Sequence, residues 1–129
     1  MVTEDYVSFE TAKLLKEKGF NEPCLMCYTY CETLENYGNY NSYKNSDVFS
    51  FTAPTIQMTM KWLREVHHYY IQVMLDSWAC GEHLGYYVVI QKTDSDFEMM
   101  LQDALDEVFY SSYEQACEAA IKYCLENLI

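Results

Sequence analysis

The chain has 129 residues, half of them apolar, and 8 Lys and Arg against 20 Asp and Glu give it a net charge of −12. That length suits one domain spanning residues 1–129, and that composition builds a core and excludes wholesale disorder. So acidic a chain does not grip phosphate backbones or anionic lipid by its own charge, and no apolar run reaches the roughly 18 residues of a membrane span.

The N-terminus carries Glu4, Asp5 and Glu10 in place of a basic and then an apolar region, so no secretory signal is expected and a cytoplasmic location is. Ser8 to Lys18 reads as a first helix. Ser8 caps its free amides, Phe9, Ala12 and Leu15 share one face, and Gly19 follows a Lys-rich last turn. Asn21-Glu22-Pro23 breaks the pattern, because proline disfavours helix in the residue before it.

Residues 24 to 31 favour a strand by their Tyr and Thr content. Cys24, Cys27 and Cys31 fall here at a spacing that suggests a metal. A structural zinc site commonly needs a second such pair, and Cys80, His67, His68 and His83 supply none. A redox pair would sit at a helix N-terminus instead of in a strand. The expectation is therefore reduced structural thiols, with no metal and no cofactor. Asn36 to Ser42 is rich in turn formers and reads as a polar hairpin or exposed loop, with Val48 to Thr52 as a short strand.

Thr55 caps a second helix running to about Val66, with Ile56, Met60, Leu63 and Val66 as its buried stripe and Trp62 at the stripe's edge. His67-His68 closes it, where a cationic imidazole would suit the helix dipole. Tyr69 to Leu75 alternates as a half-buried strand, and Tyr86 to Gln91 is a second strand antiparallel to it. Phe97, Met100, Leu101, Ala104, Leu105 and Val108 fit a helical stripe, so a helix is expected to about Asp106. The competing reading of that stretch is a pair of strands, Met99 to Gln102 and Glu107 to Tyr110. Ser112-Tyr113-Glu114-Gln115 is a capping box opening a last helix, which buries Cys117, Ala120, Ile121 and Cys124 and runs to the C-terminus. The fold class expected is α+β: a small antiparallel sheet of three to five strands with three or four helices packed on one face.

Three segments carry a resemblance. They are Tyr6-Val7-Ser8-Phe9 through Gly19-Phe20, Ala53-Pro54-Thr55 through Lys61-Trp62-Leu63-Arg64-Glu65-Val66-His67, and Ser112-Tyr113-Glu114-Gln115-Ala116-Cys117 through Ile129. Together they resemble a widespread group of small uncharacterised proteins of gut anaerobic bacteria, their prophages and mobile elements. The resemblance covers the three helices and the strand after the second. It implies a cytoplasmic protein of a phage, a mobile element or a host, and it implies no reaction and no site residues.

No G-x-S-x-G elbow, H-E-x-x-H pair or phosphate-binding glycine loop is present in the sequence. His67 and His68 are the acid–base candidates, and Trp62 with Arg64 or His68 is a candidate stacking platform. The bland reading makes Trp62 core and the histidines a helix cap. From Asp94 to Glu126 nine acids face Lys122 alone. Such a one-signed field steers a basic partner and suits a nucleic-acid mimic, with Asp103, Asp106 and Glu107 as candidate binding residues. The expected function is a non-enzymatic interaction protein acting on a basic or nucleic-acid-handling protein. The alternatives are a small-molecule or nucleotide-sequestering protein and an enzyme using His67 or His68. With 13 Tyr, 6 Phe and 2 Trp, the aromatic content exceeds what so small a core needs, and a homodimer is expected.

Overall fold

The computed structural model describes residues 1–36, 42–77, 83–105 and 109–129. It is an α+β fold of two small antiparallel sheets and four helices, as the sequence predicts in class. The expected loop at 36–42 lies largely outside the described residues, as do Trp78, Cys80, Gly81, Asp106, Glu107 and Val108.

The first helix, α1 (Phe9–Glu17), starts where Ser8 Oγ accepts from the Thr11 amide, and it ends before Gly19, whose φ of +89° only glycine adopts readily. The first sheet follows, with strands β1 (Met26–Tyr28), β2 (Leu34–Asn36) and β3 (Phe51–Thr52) in the order β2-β1-β3. Phe9 of α1 meets Tyr28 and Phe51 edge-on, both at 5.5 Å between ring centres, and so docks α1 on this sheet. Lys16 adds a polar tie, its Nζ donating to the carbonyls of Val48 and Ser50.

Thr55 caps α2 (Ile56–Val66) by accepting from the Met58 amide. The second sheet comprises β4 (Tyr69–Ser77), β5 (His83–Lys92) and β6 (Glu98–Met100), in that order. Ile71 lies opposite Ile90 and Val73 opposite Val88, so one face of the β4–β5 ladder is aliphatic. That face is the buried one. It meets α2, the short α3 (Leu101–Leu105) and α4 (Tyr113–Tyr123). Val88, Ile90, Leu101, Leu63, Ile121 and Leu125 are completely enclosed in a single core that also reaches Leu15 and Phe20. Truncating a leucine such as Leu63 to alanine there costs about 2–5 kcal/mol.

Residues 94 to 105 correct the helical expectation in part. Thr93 to Asp96 turn the chain, β6 then pairs with β5 through Val89–Met100, Ile90–Met99 and Gln91–Glu98, and among the described residues of the stretch Leu101–Leu105 is helical. The strand stops at Met100 because the next backbone donor of β5 is taken by a side chain: Val88 N–H donates to Gln102 Oε1 at 3.2 Å. Of the competing strand pair, the first member is seen shifted to Glu98–Met100. At the second only Tyr110 is described in a pairing, a single bridge to Tyr86. The last helix begins at its predicted cap, Ser112 accepting from the Gln115 amide, and widens into a π turn over Cys124–Leu128.

Candidate functional site

The residues singled out on α2 come together, but as packing. Trp62 is only 7% exposed. Its ring meets Phe20 edge-on at 5.2 Å and His67 at 4.6 Å, so both of these rings occupy space a stacked base would need. His67 is the C-cap of α2, its amide donating to the Leu63 carbonyl, and its ring Nε2 is enclosed with no hydrogen-bond partner. Burial, and then the neighbouring His68, push its pKa below the ordinary histidine value. Burial against Trp62 disfavours the cationic cap expected at this position. His68 is exposed, sits at φ +65° and turns the chain from α2 into β4, with its carbonyl accepting from Thr93 N–H at 2.8 Å. Arg64 is half-buried in the last turn of α2. Along α2 opens a shallow cleft of about 230 Å³ lined by Glu22, Met58, Lys61, Trp62, Glu65 and Val66, one lysine against two glutamates.

The thiols are spread by the fold. Cys24 and Cys27 are buried, while Cys31 is exposed in the turn after β1. Burial pushes the Cys24 thiol up to about 11 and raises that of Cys27. Cys117 and Cys124 are completely enclosed on α4 and its π extension, and burial raises them to about 11 and about 12. Thiols raised in this way are poor nucleophiles at neutral pH. Among the described residues no group of three or more His, Cys, Asp or Glu side chains is placed to hold a metal ion.

The acidic C-terminal third is less one-signed than its sequence implies. Glu118 turns inward and accepts from Ser8 and Thr11. Asp94 pairs with Lys92 at 3.7 Å, and Glu98 accepts from Gln91. Asp103 stands exposed on α3, apart from the α2 residues. Asp106 and Glu107 lie outside the described residues. The cations are depleted too. Lys16 and Lys18 donate to backbone carbonyls, Lys92 is paired with Asp94, and Lys122 holds Glu10 at 2.9 Å, so four of the eight basic side chains are engaged within the molecule.

Sequence reasoning missed the outer face of the second sheet. Strand alternation places Tyr70, Gln72 and Met74 of β4, Tyr87, Val89 and Gln91 of β5, and Glu98 and Met100 of β6 on the side away from the core. Tyr70, Met74 and Met100 are 39–42% exposed. The face is held together by a row of amides: Gln72 donates to Gln91, which in turn donates to Glu98. Asp94 and Asp96 lie in the turn at one end of the sheet and Asp103 on the helix leaving β6, so acids border an apolar surface. The signal was present in the alternation of Tyr70, Gln72 and Met74. What hid it was the pairing of β6, which alone brings Met100 and Glu98 to the same face.

Comparison with known protein families, with characterised proteins and with solved structures finds no match for this chain.

Proposed function

We propose that the protein is a non-enzymatic, acidic interaction protein that binds a basic protein partner through the outer face of its second sheet. The observation that carries this reading is that face itself: exposed Tyr70, Met74 and Met100 on one side of a sheet whose other side is the core. Clustered exposed apolar side chains with a polar border mark contact surfaces more than isolated ones do. The border here is acidic through Asp96, Glu98 and Asp103, with Asp94 paired to Lys92, while Lys16, Lys18 and Lys122 are engaged elsewhere. Charge of one sign accelerates encounter with a partner of the other. A nucleic-acid-handling protein is the partner class such a field suits, and the resemblance to small proteins of gut anaerobic bacteria, their prophages and mobile elements points the same way, toward mimicry of nucleic acid.

The test is a pull-down of tagged protein from host lysate at low and high salt, beside the double variant Tyr70→Ser/Met74→Ser. A basic partner held at low salt, released at high salt and lost with the variant is the expected result. A partner retained equally at both salts, or retained in full by the variant, would sink the reading.

A further inference from the structure

We propose that β4 is a pairing edge for a second copy of this chain, so that two second sheets join into one continuous six-stranded sheet. This goes beyond the partner-binding reading and does not rest on it.

The hydrogen-bond parity of the sheet decides which backbone groups are free. Tyr86 exchanges both its backbone bonds with Tyr110, and Lys92 N–H donates to Phe97, so the even-numbered residues of β5 point away from β4. Their opposite numbers, Tyr69, Ile71, Val73 and Leu75, therefore turn their own N–H and C=O groups outward, toward the open side of β4. No other described strand pairs along that side. A row of unpaired donors and acceptors is a template for another strand, and proteins usually blunt it with short length, charge, proline or a bulge. The other sheet edges are blunted: β2, β3 and β6 have two or three residues each, and Glu35 and Glu98 sit on two of them. β4 has nine residues, no proline and no lysine, and its bulge and single acid fall only at Asp76/Ser77.

The composition of this edge fits a copy of itself. Antiparallel pairing about a two-fold axis at Gln72 sets Tyr69 opposite Leu75, Tyr70 opposite Met74 and Ile71 opposite Val73. Each apolar side chain meets another, and the aromatic–sulfur contact is itself favourable. Leu75, on the core-facing side yet 51% exposed, gains a neighbour in this arrangement. The central Gln72 amides face each other, and Asp76 comes to the His68 end of the other copy. Two chains of net charge −12 repel, and they can meet only where neither carries an acid. Tyr69 to Leu75 is such a stretch.

The test combines light scattering of the full chain with a cross-link. The wild type is expected at about twice 15.2 kDa at high micromolar concentration, with the dimer strengthened by salt because screening relieves the repulsion. Loss of a basic partner with salt moves in the opposite direction, so the two readings fail separately. Gln72→Lys sets like charges face to face and is expected to give a monomer. Gln72→Cys places two thiols at a non-hydrogen-bonded position on the axis, where strands approach closely enough for a disulfide, and in a Cys31→Ser background is expected to give a covalent dimer on mild oxidation whose link maps to position 72 by mass spectrometry. The proposal is overturned by a monomeric wild type, or by a dimer that Gln72→Lys leaves intact and Gln72→Cys does not cross-link. Capture of an extended foreign peptide by a monomeric wild type would assign the edge to a different occupant and overturn it equally.

Discussion

Glu118 on α4 accepts a hydrogen bond from the hydroxyl of Thr11 on α1 at 2.5 Å, across 107 residues of sequence. The same oxygen accepts from the amide and hydroxyl of Ser8, the residue that caps α1. One carboxylate thus completes the cap of the first helix and fastens it to the last. Thr11 is fully buried, and removing Glu118 leaves its hydroxyl only the neutral bond from Ser8 Oγ at 3.1 Å in place of a charged acceptor. Glu118→Ala is expected to lower unfolding stability by about 1–3 kcal/mol in urea titration, and Glu118→Gln by less, because its amide oxygen still accepts. A loss within error for Glu118→Ala would mean that this tie does not hold the two helices.

His67 gives the molecule a pH dependence of definite sign. Its folded pKa lies below the ordinary value of about 6.5, because burial disfavours the imidazolium. As pH falls through that value the unfolded chain takes up a proton that the folded chain does not, so stability declines toward acid and is unaffected by this group above neutrality. His67→Phe keeps a ring against Trp62 and removes the titration. Urea unfolding at neutral and at mildly acidic pH should show a smaller acid loss for the variant than for the wild type. An equal acid loss would show that His67 is not the group responsible.

The thiols sort by burial. At neutral pH a maleimide added to the folded protein is expected, among the described cysteines, to modify Cys31 first, with Cys24, Cys27, Cys117 and Cys124 reacting only after denaturant is added. Peptide mapping by mass spectrometry reads this directly. Rapid labelling of Cys117 or Cys124 without denaturant would show that α4 opens from the core.

What was legible in the sequence follows from range. α1, α2 and α4 were readable because Ser8, Thr55 and Ser112 cap them locally and their buried residues repeat at helical spacing. β4 and β5 were readable because each alternates within itself. Leu101–Leu105 is helical as its apolar spacing predicts, whereas the strand at Glu98–Met100 is set by partners on β5, and the sequence offers it only as the competing reading, shifted by a residue or two. Among the site residues, Trp62 was placed at the edge of its stripe, but Phe20 and His67 close over it from outside the helix. Glu118 looked like surface charge because its partners lie at the other end of the chain. The outer face of the second sheet depends on three strands at once, and its edge on which residues of β4 turn their amides outward.

Gly85 supplies the last prediction. It sits in β5 opposite Asp76 with φ at +135°, a conformation that side chains strain to adopt. A Cβ added there would stand 2.8 Å from both Phe109 Cβ and the Tyr110 carbonyl oxygen. The close approach is what lets Tyr86, the next residue, exchange two backbone hydrogen bonds with Tyr110 and so lead the chain back past β5 into α4. Gly85→Ala therefore meets two obstacles, backbone strain and a clash with backbone that cannot swing aside. Strain of this kind costs about 1–3 kcal/mol before the clash is counted. The variant is expected to melt well below the wild type by circular dichroism. Gly19→Ala, at φ +89° but with open space around it, isolates the conformational part and should cost less. If the two variants lose the same stability, the crowding by Phe109 and Tyr110 contributes nothing and the chain does not pass β5 this closely in solution.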